Sequence, residues 1–364
     1  MNADKAKKIS ENQRVSASSA SNDSLIRRFE FPLDALPGAA TKAVPGLDKT
    51  DSFVETMGMS TGEIELRNGA KVFAFSATSN LWLRFVFRRL NKVFEKSDVI
   101  RIDDRSRIVF FSDCHRGDNG RSDAFRHNKV ITFHALGHYF REGFTYVEVG
   151  DGDDLWQVPR FEEIERAHSC IFERLRDFQK SGRLHMILGN HEIKPGQTHF
   201  VRKGNMAASE GLVLEHVEAG RSIFVVHGHQ ADFFSGFMIP VSRLAVRHIV
   251  RKLHAAGVVK HRKEISSIMN SPVAKYAASK LEKPLVEWAR TYRSILICGH
   301  THRAAYPRPG SPPYFNAGSC VYPGFITAIE LVDGRLQLVK WVQKEKDMLR
   351  LPMSNPIPIS MLVD

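Results

Sequence analysis

The sequence is poor in the features that mark secreted and membrane-spanning proteins. Its 364 residues include four cysteines, which lie far apart and form no Cys-x-x-Cys pair. A chain of this length buries a core large enough to fold without disulfide bonds, so reduced thiols are expected. It has no run of about 18 apolar residues, and its first residues lack the apolar centre of an export signal. These absences argue against a transmembrane helix and favour a cytoplasmic location.

A surplus of basic residues is the clearest compositional feature, because the formal net charge is +12. Such a surplus favours acidic partners, namely phosphorylated substrates, anionic lipid surfaces or nucleic acid. It can equally serve solubility alone, and charge by itself does not decide between these roles.

The pattern of the chain divides it into four parts. Residues 1–65 have no sustained period and are predicted to be a flexible leader. An N-terminal extension over 66–104 contains a basic amphipathic helix at 79–98, which either packs on the core or lies on an anionic membrane. A domain of alternating strands and helices is predicted over 105–342, followed by a C-terminal tail over 343–364.

Short apolar runs alternate with helical stretches within the predicted domain, which indicates a layered α/β core. The helical stretches are 124–141 and 160–180, and residues around Asp333-Gly334 are typical of a hairpin. A helical insert over 229–293, with predicted helices at 237–254 and 271–292, is interpreted either as a lid over a site or as a structural layer. The strand-like runs are 107–112, 145–150, 184–189, 222–228 and 294–299.

Each of these five runs ends in a polar cluster that contains Asp, Asn or His. Ligands in open α/β sheets collect beyond the carboxyl ends of strands, so the clusters are expected to converge. Their side chains suit Mn²⁺, Fe or Zn²⁺. The clusters are Asp113-Cys-His115, Asp151-Gly-Asp-Asp154, Asn190-His191-Glu192, His227-Gly-His229 and His300-Thr-His302.

This ordered set resembles the motifs of the calcineurin-like metallophosphoesterase superfamily: DCH, GDGDD, GNHE, HGH and GHTH. The resemblance covers about residues 105–342 and implies a layered β-sandwich core flanked by helices. It also implies two metal ions bridged by Asp151, with His191 as general acid or transition-state stabiliser. One metal would be held by Asp113, His115 and His302, and the other by Asn190, His227 and His300.

The resemblance further implies hydrolysis of a phosphate ester or a pyrophosphate bond by a hydroxide that the two cations generate. Manganese is favoured over iron and zinc. Cys114 is expected to point away from the metals, and Glu192 to be structural. Asp154 is interpreted as orienting a ligand histidine or capping a turn. Arg116 is interpreted as contacting the substrate phosphate or as a solvated surface charge.

Within the superfamily, the motif GDGDDLW, with Trp156, resembles the UDP-2,3-diacylglucosamine pyrophosphatase branch, which also carries a helical insert. That branch typically has Arg where this chain has His191. The expected substrate is a phosphorylated small molecule or a lipid-linked one, with peripheral membrane contact through the 79–98 helix.

Other functions stay open. One is a nuclease or cyclic nucleotide phosphodiesterase, and another is a membrane- or nucleic-acid-binding module with a structural metal site. Nucleic acid is disfavoured as a partner because no basic stretch is interleaved with aromatic residues. A Ser/Thr protein phosphatase is disfavoured because GDGDDLW lacks the Arg-Gly pair of that group.

Overall fold

The computed structural model describes residues 59–65, 71–77, 80–193, 200–232 and 272–362. The α-helices in these ranges are α1 (Asn80–Lys96), α2 (Lys129–Arg141), α3 (Phe161–Ala167), α4 (Ser169–Lys180) and α5 (Pro272–Tyr292). The strands are β1 (Met59–Glu65), β2 (Lys71–Ala77), β3 (Asp98–Ile102), β4 (Ile108–Phe111), β5 (Thr145–Val149), β6 (Leu184–Ile187), β7 (Phe200–Lys203), β8 (Met206–Ser209), β9 (Gly211–His216), β10 (Arg221–Val226), β11 (Ile295–Cys298), β12 (Tyr314–Asn316), β13 (Phe325–Val332), β14 (Arg335–Lys344), β15 (Asp347–Pro352) and β16 (Ile357–Pro358).

The largest sheet has nine strands in the order β15-β14-β13-β4-β5-β6-β8-β7, with β16 beside β14. Strands β4, β5 and β6 are parallel neighbours, whereas β13 runs antiparallel to β4. In β4, Ile108 and Phe110 belong to one apolar cluster and Val109 and Phe111 to another. Because both faces of this strand are buried, its sequence is a continuous apolar run.

A second sheet has five strands in the order β12-β11-β10-β9-β3. Strands β10 and β11 are parallel, and β9 and β10 are antiparallel. Alternate side chains again enter different clusters, with Ile223 and Val225 on one face and Phe224 and Val226 on the other. A separate hairpin is formed by β1 and β2.

The two large sheets pack face to face, because residues of both share one buried cluster that includes Phe110, Val147, Val225 and Ile297. Helices α2, α3 and α4 cover the outer face of the nine-stranded sheet. Helices α1 and α5 cover the outer face of the five-stranded sheet. The order helix, sheet, sheet, helix confirms the predicted layered α/β sandwich. Within the described residues, no helix combines the length and apolarity that a membrane span requires.

The five predicted strand runs are β4, β5, β6, β10 and β11, and the predicted hairpin is β13–β14. Its turn residues, Asp333 and Gly334, both have positive φ, as a two-residue hairpin requires. The predicted helix over 237–254 lies outside the described residues. The other helix of the insert is α5, and it forms a structural layer on the sheet.

The predicted domain boundaries are too narrow. Strand β3 lies in the five-stranded sheet and β15 lies in the nine-stranded sheet, so both sheets extend beyond 105–342. Residues 59–65, which were predicted to belong to a flexible leader, form β1. The hydrophobic pattern is weak in both strands, because β3 and β15 are edge strands with mostly exposed side chains.

Helix α1 confirms the predicted amphipathic helix. Of the two predicted roles for its apolar side, packing on the core is the one that the structure has. The side chains of Trp82, Val86, Leu90 and Val93 are buried against the five-stranded sheet. An apolar stripe that is already packed in the core cannot also insert into lipid, so insertion of this face is excluded. Peripheral membrane contact through other residues stays a proposal.

Replacing Leu90 by Ala should lower the free energy of unfolding by about 2–5 kcal/mol, because Leu90 is 0% exposed and its loss leaves a cavity. Leu351→Ala is the matched control, since Leu351 is 41% exposed on β15. Urea denaturation followed by circular dichroism measures both. Equal, small effects in the two variants would contradict the packing of α1 on the sheet.

Candidate metal centre

The predicted ligands lie where three parallel strands of one sheet and two parallel strands of the other end. Asp113 and His115 follow β4, Asp151 follows β5, and Asn190 follows β6 in the nine-stranded sheet. His227 follows β10, and His300 and His302 follow β11, in the five-stranded sheet. Because the sheets are stacked, the two sets meet at one edge of the sandwich.

Two groups of donor atoms form at this edge. In the first group, His302 Nε2 lies 3.0 Å from Asp113 Oδ1, and His115 Nε2 lies 3.6 Å from the same oxygen. In the second, Asp151, His227 and His300 each place a donor atom within 4.8 Å of the others. Asp151 Oδ2 joins the groups, since it is 3.7 Å from His115 Nε2 and 3.3 Å from His227 Nε2.

The backbone at five of these residues is in the left-handed region, which non-glycine residues rarely occupy. The strain costs on the order of 1–3 kcal/mol per residue and is typical of functional sites. The five residues and their φ angles are Asp113 (52°), His115 (48°), Asp151 (48°), His300 (68°) and His302 (55°).

Two glycines allow the loops to approach closely enough. A Cβ at position 189 would overlap the Asp151 carboxylate, and a Cβ at position 299 would overlap Ser112 Oγ. Each glycine directly precedes a predicted metal ligand. The Gly-Asn and Gly-His pairs of the motifs are therefore required by the contact between loops, and not only by turn formation.

The carboxylates of Asp113 and Asp151 each accept hydrogen bonds at one oxygen, and the other oxygen of each faces the centre. Asp113 Oδ2 accepts hydrogen bonds from Ser112 Oγ (2.6 Å) and from the His300 backbone N–H (2.9 Å). Asp151 Oδ1 accepts one from the His191 backbone N–H (2.9 Å). Burial alone would raise both pKa values, but neighbouring imidazoles, including His227, hold them well below their usual range. Both groups therefore stay ionised.

The remaining donors fit a cation. His227 Nδ1 is 2.8 Å from the Val149 carbonyl oxygen, so it carries the proton and leaves the Nε2 lone pair facing Asp151. The Nε2 atoms of His115 and His302 are 3.1 Å apart. Asn190 Oδ1 is buried and accepts no hydrogen bond from the part of the chain that the structure describes. Converging acceptors need a positive charge between them, and imidazole with carboxylate oxygen suits Mn²⁺, Fe or Zn²⁺.

A proton can replace that cation. Burial disfavours a charged His227, yet the carboxylates of Asp151 and Asp113 raise the pKa of His227 to about 9. Metal binding at this nitrogen must therefore displace a proton at neutral pH.

His191 lies beside the two groups and is fixed on several sides. Its Nδ1 is 2.9 Å from Asp154 Oδ1, and its ring stacks on Trp156 with centroids 4.0 Å apart. The rings of His115 and His191 lie edge to face, with their centroids 4.5 Å apart. Burial lowers its pKa, but Asp151 and Asp154 outweigh this and raise it. Asp154 thus orients a histidine, as predicted, although that histidine is not among the seven predicted ligands.

Trp156 also connects His191 to the backbone of a predicted ligand, because its indole N–H donates a 3.0 Å hydrogen bond to the Asn190 carbonyl oxygen. Sequence reasoning noted Trp156 only as a motif residue. It did not identify Asp232, whose Oδ2 is 3.3 Å from His300 Nε2. The proximity of Asp232 to the HGH motif is the only signal that the sequence offers for it.

The prediction that Arg116 contacts substrate is wrong. Its guanidinium is buried and bonds to both oxygens of Glu148 (2.7 and 2.8 Å) and to Asp153 Oδ1 (2.7 Å). All its nitrogens are used, so it is neither a substrate ligand nor a surface charge. Arg116 follows His115 directly, but its side chain points into the protein and away from the centre.

Arg116 belongs to a buried ionic network of five residues: Arg116, Glu148, Asp153, Glu192 and Lys203. Lys203 contacts Asp153 Oδ2 at 2.9 Å and also Glu192. Glu192 accepts hydrogen bonds from the backbone N–H groups of Asp153 and Gly189, which confirms its structural role. Cys114 is buried in the apolar cluster beneath α2, as expected.

The family model for calcineurin-like phosphoesterases matches residues 106–304, which is more than half of the chain. The protein therefore belongs to the calcineurin-like phosphoesterase family. Membership implies a phosphoester hydrolase that binds divalent metal ions. Among curated protein sequences, none matches the chain significantly.

Several solved structures are similar to this chain at low sequence identity. Wild-type Vps29 complexed with Zn²⁺ from Entamoeba histolytica is 13% identical and has a TM-score of 0.32; the match covers 68% of this chain and 99% of that one. A dimetal phosphatase from Danio rerio is 11% identical with a TM-score of 0.36 and the same coverage, 68% and 99%. A cold-active protein-tyrosine phosphatase of a psychrophile Shewanella sp. is 12% identical with a TM-score of 0.36, covering 79% and 89%.

Replacing Lys203 by Met should lower the free energy of unfolding by about 3–5 kcal/mol, because it leaves buried carboxylates without their cation. Arg160→Met is the control, because it breaks a surface ion pair between Arg160 and Glu163. The Arg160 side chain is 77% exposed. That loss should stay below about 1 kcal/mol. Urea unfolding of both variants measures the difference, and a loss below 1 kcal/mol for Lys203→Met would contradict the network's role.

Proposed function

We propose that this family member cleaves a phosphate ester or a pyrophosphate bond with two divalent cations. The observation that supports this most is the position of Asp151 Oδ2, which faces one imidazole from each donor group. A carboxylate placed in this way can be shared by two cations. An isolated structural metal site would need neither the second group nor a fixed histidine beside it.

In this proposal Asp113, His115 and His302 hold one cation, while Asn190, His227 and His300 hold the other. Bound there, the cations supply Lewis acidity toward the phosphoryl oxygens and the attacking water. The nitrogen and oxygen donor set favours manganese, iron or zinc, and we propose manganese. The rigid, strained loops keep the donors in place before substrate arrives, so little reorganisation is needed during the reaction.

His191 is the proton donor of the proposal. Its Nδ1 is engaged by Asp154, which leaves Nε2 for the leaving-group oxygen of the substrate. The raised pKa favours the imidazolium form, which can donate a proton to that oxygen or stabilise its negative charge. Stacking on Trp156 adds a cation–π attraction and restricts rotation of the ring.

The substrate we propose is a phosphorylated small molecule or a lipid-linked pyrophosphate, hydrolysed in the cytoplasm. The support is the GDGDDLW motif, whose Trp156 lies against the proposed acid. Turnover of bis-p-nitrophenyl phosphate, a UDP-linked sugar, a cyclic nucleotide and DNA, compared with the same metal, distinguishes this class from a nuclease or a cyclic nucleotide phosphodiesterase.

Replacing Asp151 by Asn should remove bound metal and activity together, because this carboxylate belongs to both donor groups. The parent protein should contain close to two metal ions per chain and lose activity with EDTA. Asp177→Asn on α4, remote from the centre, is the control. Metal analysis by mass spectrometry and turnover of bis-p-nitrophenyl phosphate are the measurements. A metal-free parent with full activity in EDTA would overturn the proposal.

Replacing His191 by Ala should lower turnover by about 10²-fold or more while metal content stays near that of the parent. His134→Ala, an exposed histidine on α2, is the matched control and should leave both unchanged. Parent-like turnover of His191→Ala on several substrates would contradict the assigned role. Loss of metal in this variant would instead make His191 a ligand.

A further inference from the structure

Helices α1 and α5 lie side by side on the outer face of the five-stranded sheet. Asn91 connects them, because its side-chain N–H donates to Tyr292 Oη (2.7 Å) and its Oδ1 accepts from the Trp288 indole (2.8 Å). Phe94 also contacts the Trp288 ring. The inward sides of both helices are filled by one apolar cluster, and their outward sides face away from it.

Those outward sides are strongly basic. Arg84, Arg88 and Lys92 are exposed at successive turns of α1, and Lys275, Lys283 and Arg290 are exposed on α5. We call these six residues the cationic face.

Against these six basic residues, helices α1 and α5 carry three acidic residues. Glu282 is half-buried and accepts a hydrogen bond from Thr301 Oγ1 (2.8 Å), and Glu287 pairs with Arg290 at 2.5 Å. Glu95 is exposed near the end of α1. The positive charge of the cationic face is therefore largely uncompensated on these two helices.

The geometry of the layer favours a flat partner over a grooved one. A helix reads nucleic acid by entering a groove about 12 Å wide, for which its flanks must be free. Helix α1 is packed against the sheet on one side and against α5 on another. Among the exposed side chains of the described parts of α1 and α5, Tyr276 offers the only aromatic ring, so base stacking has little support.

We propose that the cationic face docks the protein reversibly on anionic lipid bilayers by electrostatic attraction, without insertion of apolar side chains. Basic residues close to an anionic membrane each add to the attraction, which falls off within a Debye length. The docking does not depend on the proposed catalytic function, because none of the six residues contacts the metal centre.

Docking would nevertheless bring the metal centre close to the bilayer. Arg89 of α1 donates to the Asp232 carbonyl oxygen (3.4 Å), and Asp232 contacts His300. Glu282 of α5 bonds to Thr301, which lies between two ligand histidines. The same helix layer therefore borders both the docking surface and the site.

Co-sedimentation of the full chain with vesicles tests this proposal. The parent should bind vesicles of phosphatidylcholine mixed with phosphatidylglycerol at low salt, and should dissociate at high salt and from phosphatidylcholine alone. The double variant Arg88→Glu/Lys92→Glu should lower the apparent partition coefficient at least about tenfold, because two attractive charges become repulsive.

The matched control is Arg141→Glu/Lys180→Glu, which changes the net charge equally on α2 and α4, the helices that cover the other sheet. It should retain most of the binding. Both variants should keep the parent's thermal unfolding midpoint and its turnover of a soluble substrate, which shows that they are folded.

Three results would overturn the proposal. The first is a parent that ignores anionic vesicles at low salt, and the second is binding that persists at high salt. The third is an equal loss in the two double variants, which would mean that net charge alone drives adsorption. Salt-dependent binding to duplex DNA that requires the cationic face, without vesicle binding, would assign the face to nucleic acid instead.

Discussion

The buried contacts of Arg116 with Glu148 and Asp153 hold the centre of this structure together. Arg116 follows His115, Asp153 lies two residues after Asp151, and Glu192 follows His191, so the network ties together three of the loops that carry the site. Burying these charges is costly unless every partner is present. The loops therefore cannot adopt their positions independently, and the network provides geometric definition more than net stability.

The loops need this network to hold their positions, because the conformation of the site is energetically unfavourable by itself. Five predicted ligands have left-handed backbones, and imidazole nitrogens and carboxylate oxygens converge in one small region. Three carboxylates and two cations in the network leave one excess negative charge behind the centre. Burial, together with Asp153 and Glu148, raises the pKa of Glu192, whereas the ammonium group of Lys203 lowers it. Metal binding would relieve the convergence, and its free energy would add to that of folding.

The strands could be predicted from the sequence because each strand is a short apolar run. The convergence of the predicted ligands could also be expected, because each of them stands just after such a run. The direction of a side chain at a loop could not be predicted, and Arg116 shows why. Its partners are Glu148 inside β5 and Asp153 in the loop that follows β5, so they approach Arg116 only when β4 and β5 pair. Lys203 gives no signal at all, since a lysine in a short strand is ordinarily exposed.

Helix α1 shows a second limit of sequence reasoning, and it also clarifies what the helix can do. An apolar stripe at helical spacing has the same pattern whether it faces a protein core or a bilayer. Once Trp82, Val86 and Leu90 are buried in the core, the remaining side of the helix can act only through charge. Electrostatic attraction depends on salt concentration and lipid composition, and it inserts no side chain into the hydrocarbon core of the bilayer. A protein attached in this way can leave the membrane without exposing its core, so docking and folding stay energetically separate.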